Sequence, residues 1–586
     1  MDRTWDLTIL YTGFDDPAFA ADLAALDAAI EAFAAGARTA ASDNHAAAAH
    51  RYVADQTRIT VLLEKLHIYA SLRTSANTDD TEAASVSGRL MAKASSVAAA
   101  DAQYRRAIAS FDDLEALLAA DPLLEEHRFL LTNVKDDSRY LLSEGEEKLL
   151  SQLNISGAAA WSQLQRALTS TVRADYRGEQ ITLSAVRNLA YDADAAVRRD
   201  AYEAELAAYR PIRESVAFSL NSIKQQVLTV SAARGFASPL DQALHASRMK
   251  RGTLEALLSA MVEYLPKFRE YLRAKGRALG HADGLPWYDL FAPMGKSDKK
   301  YTIDEARDLL LSIFSRFDPA LRDMVARAFE ERWIDFYPRA GKVGGAFDCG
   351  VPSARQSRVL TNFDGSFSDV MTLAHELGHA FHDQQIFPNA PLNQDYTMPV
   401  AETASNFNEL LVGNTALAAA ADPAEKLALL ESQISDTCQI ICDIYSRYLF
   451  ESAVFAHRPE EFMNADRLCA LMTEAQVQSY GDGLAADARH PYMWICKSHY
   501  YSGSLSFYNF PYAFGGLFAR GLYARYRAEG AAFVPAYKAM LRATPTTTVE
   551  GAAALAGIDL TDPAFWKSGL AAVAADIDTL IALMGA

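Results

Sequence analysis

Residues 371–385 read MTLAHELGHAFHDQQ and contain an H-E-x-x-H motif that runs from His375 to His379. No proline interrupts the stretch, and Pro388 lies beyond it. On a helix, side chains four residues apart lie one turn above each other on the same face, so both imidazoles can bind one metal ion. Glu376 would then lie beside a metal-bound water, where it can act as a general base. The motif predicts a catalytic zinc centre on a helix.

A catalytic zinc ion needs a third protein ligand and an open fourth position. His382 is seven residues from His375, an axial rise of about 10.5 Å on an unbroken helix, so these two cannot share an ion. Better candidates follow a proline-containing loop, where a helix predicted over 400–411 carries Glu402 and Glu409 on one face. A short antiparallel return would bring this helix alongside the motif. Spacing alone does not choose between the two glutamates as the ligand.

The composition indicates a globular protein with an acidic excess. Of 586 residues, 56 are Lys or Arg and 74 are Asp or Glu, which gives a formal net charge of −18. This charge disfavours nucleic acid or an anionic membrane as a partner. The N-terminus shows no signal-peptide pattern, and no run of 18 or more apolar residues is present. With five irregularly spaced cysteines, we expect a cytoplasmic protein without a disulfide framework or a membrane span.

Abundant alanine with sparse glycine and proline predicts a mainly helical protein. Asp-Pro pairs predict helix starts, because the aspartate accepts from free amides and proline suits the first turn. The five pairs begin at Asp16, Asp121, Asp318, Asp422 and Asp562. One amphipathic stripe at helical spacing predicts a buried helix face. It consists of Leu254, Leu257, Leu258, Met261, Val262 and Leu265.

Two segments interrupt the helical pattern. Residues 342–363 mix β-branched and aromatic residues with Gly and Pro, which predicts a hairpin or a small sheet. The lysine-rich stretch 295–300 predicts a surface loop. We divide the chain into an N-terminal helical domain, 1–190, and a zinc peptidase domain, 191–586.

The zinc motif and the segment after it resemble those of zinc oligopeptidases of the oligoendopeptidase F and thimet oligopeptidase type. The shared pattern is H-E-x-G-H-x-x-H at 375–382, followed by Glu402, Ser405 and Glu409. Weaker matches extend the resemblance over essentially the whole chain. They are Trp5-Asp6-Leu7, Arg234-Gly235-Phe236, Gly345-Ala346-Phe347, His499-Tyr500-Tyr501 and Phe507-Tyr508.

The resemblance implies a mainly α, two-lobed metallopeptidase with a small β-sheet beside a deep substrate channel. It implies one Zn²⁺ per chain, with Glu402 as the third ligand. Glu409 is then available to accept a hydrogen bond from the other ring nitrogen of a ligand histidine.

Residues 499–516, HYYSGSLSFYNFPYAFGG, predict a structured loop rich in Tyr, Phe, Gly and Ser. Phenol and imidazole donors suit a carbonyl oxygen that becomes negative during attack. The resemblance brings this loop over the metal, with Tyr512 as the preferred donor and His499 and Tyr508 as the others. The loop also contains expected core residues and two tyrosines that we assign to neither group. The core residues are Phe507, Phe510 and Phe514, and the unassigned pair is Tyr500 and Tyr501.

We expect oligopeptide substrates to bind as an extended strand, by β-augmentation. The predicted edge consists of Gly344, Gly345, Ala346 and Phe347. The resemblance implies that the protein cuts internal bonds of short, unstructured peptides, because a channel excludes folded chains.

Two other functions are compatible with the residues. A carboxypeptidase or dipeptidase of the same zinc architecture would need a charged group for a peptide terminus, and no sequence pattern identifies that group. A non-catalytic helical peptide-binding protein would hold a structural metal or none. Structural zinc normally has four protein ligands, often cysteines, and none of the five cysteines lies in 371–411. The oligomeric state is not predicted.

Overall fold

The structure is a computed structural model, and it describes residues 3–295 and 299–585. Within these residues the chain is mainly helical, with one two-stranded hairpin and one three-stranded sheet. The predicted fold class is confirmed. The predicted surface loop at 295–300 falls partly on positions 296–298, which lie outside the described residues.

Six helices at the N-terminus share a hydrophobic core of their own. This core collects buried residues from Trp5 to Val134, and Val351 and Leu360 join it from the sheet. The helices are α1 (Pro17–Ala37), α2 (His45–Ala76), α3 (Thr81–Ala109), α4 (Leu114–Ala120), α5 (Pro122–Glu126) and α6 (Arg128–Asp137).

A second, larger core collects buried residues from Ala158 to Leu580. It follows α7 (Glu144–Ser156), which has no buried residue. Its first elements are α8 (Ala158–Thr171), β1 (Arg173–Tyr176), β2 (Glu179–Thr182), α9 (Leu183–Asn188), α10 (Ala195–Tyr209), α11 (Arg213–Ala233), α12 (Pro239–Ala246), α13 (Arg251–Ala278), α14 (Ile303–Phe317) and α15 (Pro319–Glu330). The later helices are α16 (Phe367–Ile386), α17 (Met398–Ala401), α18 (Thr403–Ala419), α19 (Pro423–Cys438), α20 (Ile444–His457), α21 (Ala465–Tyr480), α22 (Met493–Cys496), α23 (Phe510–Glu529), α24 (Val534–Ala543), α25 (Val549–Leu555) and α26 (Pro563–Gly585). The two cores form the two lobes. The division of the chain at 190 and 191 remains a proposal.

The predicted helix starts are confirmed at all five Asp-Pro pairs. In each pair an aspartate Oδ1 accepts from the backbone N–H two residues further on, which satisfies one free amide of the first turn. The stripe predicted in α13 is buried at four of its six positions. Leu258 is half-buried and Val262 is exposed, because these two lie at the margin of the buried face.

A three-stranded sheet joins the two lobes. Its strands are β3 (Ile334–Asp335), β4 (Phe347–Val351) and β5 (Gln356–Leu360), in the order β3-β5-β4. β4 runs antiparallel to β5, and β3 runs parallel to it. Neighbouring residues of β5 point to opposite faces, so Val359 joins the larger core and Leu360 joins the N-terminal core. The small sheet predicted within 342–363 is confirmed.

Helix α16 carries the H-E-x-x-H motif and begins at a capping box. The Ser366 hydroxyl accepts from the Asp369 N–H, and the Asp369 carboxylate accepts from the Ser366 N–H. These two bonds satisfy free amides at the helix start and fix the phase of the helix that follows.

Helices α16 and α18 pack closely at Gly378. A β-carbon at this position would lie 2.5 Å from Ser405 Cα and 2.6 Å from the Ala404 carbonyl oxygen. Asn408 Nδ2 also donates to the Ala374 carbonyl oxygen at 3.2 Å, which links a side chain of α18 to the backbone of α16. The return of the chain alongside the motif helix is therefore as predicted.

The helix predicted over 400–411 is wrong in one respect. It is broken, because α17 ends at Ala401 and α18 begins at Thr403. Glu402 lies between them with φ −88° and ψ 10°, and its backbone caps α18. Because the helix is interrupted at Glu402, the side chain of this residue points toward α16 from the start of α18.

Helix α26 is apolar and long enough to cross a membrane by length and composition alone. In the structure it packs against α13, α19 and α23, and its buried residues include Trp566, Leu570 and Ile577. On its outer side Asp578 is exposed and pairs with Lys267. One face of α26 therefore packs in the larger core.

Gly378→Ala should lower the thermal unfolding midpoint, because the added methyl must displace the backbone of α18. Overpacking of this kind costs about 1–3 kcal/mol. Gly88→Ala is the matched control, since Gly88 lies in α3 with nothing within 4 Å of an added β-carbon. Replacing a helical glycine without a clash stabilises by about 0.5–1 kcal/mol. A Gly378→Ala variant that melts at or above the parent temperature would contradict the close packing.

Candidate active site

Three ligand atoms from α16 and the start of α18 meet at one point. His375 Nε2 lies 3.2 Å from His379 Nε2 and 3.2 Å from Glu402 Oε2, and His379 Nε2 lies 3.4 Å from the same carboxylate oxygen. In a tetrahedral site with bonds of about 2.1 Å, neighbouring ligand atoms are about 3.4 Å apart. The three atoms therefore form a triangle of the size that a tetrahedral zinc ion requires.

Two further side chains orient these ligands. His375 Nδ1 donates to Glu409 Oε1 at 2.9 Å, which directs the opposite nitrogen, Nε2, toward the cluster. The Ser405 hydroxyl donates to Glu402 Oε2 at 2.8 Å. Glu409 thus lies against the Nδ1 nitrogen of His375, which is one of the two histidines expected as ligands.

The carboxylates of this cluster stabilise positive charge at the imidazoles. Burial by itself would raise the pKa of Glu402, but hydrogen bonds from His375 and His379 outweigh it and hold that pKa below its usual range. Burial would lower the pKa of His375, whereas hydrogen bonds to Glu402 and Glu409 raise it to about 10. The same carboxylates would stabilise a divalent cation, which would replace the protons on the imidazoles.

Glu376 projects from α16 beside the two histidines and is almost fully buried. Burial raises its pKa above the usual range, while His375 and His379 act in the opposite direction. The backbone N–H of Asp348, in β4, also lowers this pKa by hydrogen bonding to the carboxylate. A carboxylate with a raised pKa is a better proton acceptor than one in water.

The cluster opens into a cleft of about 380 Å³. One wall is β4 with the residue before it, and the other carries the histidines, Glu376 and Tyr396. Of the expected substrate edge, Ala346 and Phe347 line this cleft, and Gly344 and Gly345 are not among its lining residues.

Strand β4 begins only at Phe347, because Gly345 has a φ of 80° that no β-strand adopts. The carbonyl of Gly345 also accepts a bond from Asn362 at 2.8 Å.

The three expected oxyanion donors form one aromatic cluster. The ring of His499 lies 5.0 Å from that of Tyr508 and 6.0 Å from that of Tyr512, and the two phenols are 5.6 Å apart. Tyr512 occupies the first turn of α23. Three residues later, a β-carbon on Gly515 would lie 2.9 Å from Glu402 Cβ, so this helix packs directly on the metal-ligand segment.

The other aromatic residues of the loop are buried. Phe507, Phe510 and Phe514 belong to the larger core, as predicted. Tyr500 and Tyr501, which the sequence did not assign, are also core residues, and the Tyr501 hydroxyl donates to the Trp494 carbonyl at 2.9 Å. Neither of these tyrosines is available to a substrate.

Sequence reasoning missed a buried network that fixes the start of α23. Lys224 Nζ donates to Glu451 Oε1 at 2.7 Å, and Asn509 Nδ2 donates to Glu451 Oε2 at 3.0 Å. Asn509 precedes α23 and stands between Tyr508 and Tyr512. Because the three partners are 58 or more residues apart in sequence, no local spacing could indicate the network.

Two acids that line the cleft, Asp348 and Asp383, were also missed. Ser357 Oγ donates to Asp383 Oδ2 at 3.1 Å, and burial raises the pKa of Asp383 to about 6. Burial and the charge of Asp383 raise the pKa of Asp348 well above its usual range. Asp383 lies one helical turn beyond His379, which is the signal that the sequence offered.

His382 has a structural role, in agreement with its exclusion as a ligand. Its Nε2 lies 2.8 Å from the Thr544 hydroxyl, and its ring stacks on Tyr396 at 4.4 Å. Complete burial lowers its pKa to about 3, so this imidazole is neutral.

Comparison with known proteins gives family matches over most of the chain. The model of peptidase family M3 matches residues 188–571, and that of Oligopeptidase F matches residues 109–173.

Two curated relatives and one solved structure are similar to this chain. Group B oligopeptidase PepB of Streptococcus agalactiae is 26% identical over 515 residues, which cover 85% of this chain and 84% of that protein. Oligopeptidase PepF of Bacillus subtilis is 23% identical over 519 residues, covering 87% and 77%. Oligoendopeptidase-F of Enterococcus faecium has the same fold, with a TM-score of 0.72, 18% identity, and coverage of 97% and 99%.

Proposed function

This chain belongs to peptidase family M3 and is a metallopeptidase, and we propose that it is a zinc-dependent endopeptidase of short, unstructured oligopeptides. The observation that carries the proposal is the triangle of His375 Nε2, His379 Nε2 and Glu402 Oε2, with Glu376 beside it. Family membership sets aside the non-catalytic peptide-binding protein.

The donor set supports zinc as the metal. Two imidazoles and one carboxylate with an open fourth position are typical of catalytic zinc, and none of the ligands is a cysteine. When bound, zinc supplies a Lewis acid that polarises water and the substrate carbonyl. His375, His379 and Glu402 would hold it, with Glu409 and Ser405 orienting the ligands.

Glu376 has the role of general base. Its buried carboxylate accepts the proton of the attacking water and then delivers that proton to the leaving amine, which balances the hydrolysis. The raised pKa of Glu376 favours the first step, because a more basic carboxylate takes up the proton of water more readily.

Tyr512 is the preferred donor to the carbonyl oxygen as that atom becomes negative, with His499 and Tyr508 beside it. The phenol is partly exposed, and α23 packs against Glu402 within one turn of it. Burial lowers the pKa of His499, and the positive charges of Arg447 and Lys497 lower it further. His499 therefore donates as a neutral imidazole.

The outer edge of β4 supports binding of an extended substrate. β4 pairs with β5 on one side, and in the described sheet no strand covers its other edge. A peptide added there would align its backbone along Phe347 and Asp348, beside Glu376. Gly344, Gly345 and Ala346 come directly before β4 in the chain and would contact the substrate next to that edge.

A cytoplasmic location belongs to the same proposal. The five cysteines are free thiols, which suits a reducing compartment. The acidic net charge supports the prediction that neither nucleic acid nor membrane is a partner.

Glu376→Gln should abolish peptide hydrolysis and leave the zinc content unchanged, because the amide keeps the shape and loses the base. The measurements are turnover of an internally quenched peptide and zinc per chain by atomic emission. Loss of zinc together with activity would make Glu376 a ligand or a folding residue. Retained activity would remove it from the mechanism.

Tyr512→Phe should lower kcat by on the order of 10²–10³ with little change in KM, as expected for loss of one oxyanion donor. Steady-state kinetics on the same peptide measures it. Tyr337→Phe is the control, since Tyr337 is half-exposed and does not line the cleft. A kcat within about threefold of the parent, far below the expected 10²-fold loss, would exclude Tyr512 and direct the test to His499 and Tyr508.

A further inference from the structure

A second cavity, of about 80 Å³, lies between α10 and the segment that leads to His499. Part of its wall is apolar and part is charged. The apolar part includes Val186, Trp287 and Phe291, and the charged part includes Arg187, Asp443 and Lys497.

Lys497 forms no ion pair or hydrogen bond through its ammonium group with the described residues. The side chain is half-buried and lines the cavity. Burial and the like charge of Arg447 lower its pKa, which indicates a cation without enough compensating charge. An ammonium in such a place gains free energy when an anion approaches it.

The carboxylates near Lys497 are already engaged. Arg447 pairs with Asp443 within α20 and the turn before it. Glu205 accepts from the Tyr209 hydroxyl at 2.8 Å and lies 3.5 Å from Arg187 Nε. The protein therefore supplies this cavity with more positive than negative charge.

The cavity adjoins the candidate active site. Lys497 is two residues before His499, whose ring lies 6.0 Å from that of Tyr512. On the other side, Phe291 packs against Tyr191 with ring centroids 4.9 Å apart.

Gln439 also lines the cavity, and its neighbour Ile440 touches α23: a β-carbon on Gly516 would lie 2.6 Å from the Ile440 side chain. The cavity thus lies beside the helix that carries Tyr512.

We propose that Lys497 binds a carboxylate of the peptide substrate, either the C-terminal carboxylate or an Asp or Glu side chain. This inference rests on the proposed peptidase function. The apolar wall would hold the side chain next to that carboxylate.

A carboxylate held at Lys497 fixes the distance between itself and the cleaved bond. Short peptides with a free C-terminus would then be cut at a constant distance from their end. An endopeptidase with such a subsite would show a preference for peptide termini without being restricted to them. Lys497 is also the charged group that the carboxypeptidase alternative requires.

Binding is measured by calorimetry on the zinc-loaded Glu376→Gln protein, so that no peptide is consumed. One peptide sequence is used as its C-terminal acid and as its amide, and the amide is also made with Asp or Asn at each position in turn. The expected result is at least about tenfold tighter binding of the acid over the amide, or of one Asp peptide over its Asn partner. The pair that differs identifies which carboxylate binds.

Lys497→Met should bring that ratio close to one, and Lys497→Arg should restore most of it, because only the arginine retains the positive charge. Lys426→Met is the control, since Lys426 has the same charge, forms no ion pair with the described residues, and does not line the cavity. The proposal is overturned if no pair differs, or if Lys497→Met keeps the ratio of its parent. Turnover by the unmodified protein is measured separately, and its absence would refute the proposed function without deciding this binding test.

Discussion

The candidate metal site depends on close contact between helices at two glycines, where no side chain separates the backbones. Gly378, inside the H-E-x-x-H motif, lets α16 touch α18 at Ala404 and Ser405. Gly515 in α23 lets a third helix lie against Glu402 from the other side. Since Glu402 occupies the break between α17 and α18, these two contacts fix the position of its carboxylate relative to both histidines. Two residues without side chains thus determine where the ligands meet.

Charge balance follows from this packing. The cluster places Glu402 and Glu409 against His375, so the half-buried site proposed for a divalent cation already contains anionic partners. Glu376 differs from them, because burial raises its pKa and leaves it free to exchange a proton. The aromatic loop shows a similar contrast between a structural group and an accessible one. The buried pair of Lys224 and Glu451 holds Asn509 in place, whereas Tyr512 in the same loop stays partly exposed. Lys224 and Glu451 are paired with each other, whereas Tyr512, which is proposed for chemistry, stays accessible.

Local patterns predicted much of this arrangement. Spacing on a helix was enough to bring His375 and His379 together, and Asp-Pro pairs marked five helix starts. Spacing could not choose between Glu402 and Glu409, because the choice depends on how the chain turns at the break before α18. The start of β4 at Phe347 and the bond between Asn509 and Glu451 were also beyond reach. Each depends on a partner from a distant segment or on a backbone angle that residue type alone does not specify.

Anomalous diffraction at the zinc absorption edge, from crystals of the zinc-loaded protein, tests the central claim most directly. The account predicts one peak per chain, about 2.1 Å from His375 Nε2, His379 Nε2 and a Glu402 carboxylate oxygen, with no fourth protein ligand. A peak enclosed by four protein ligands would indicate a structural metal. A peak elsewhere, with these three side chains pointing apart, would contradict the assignment.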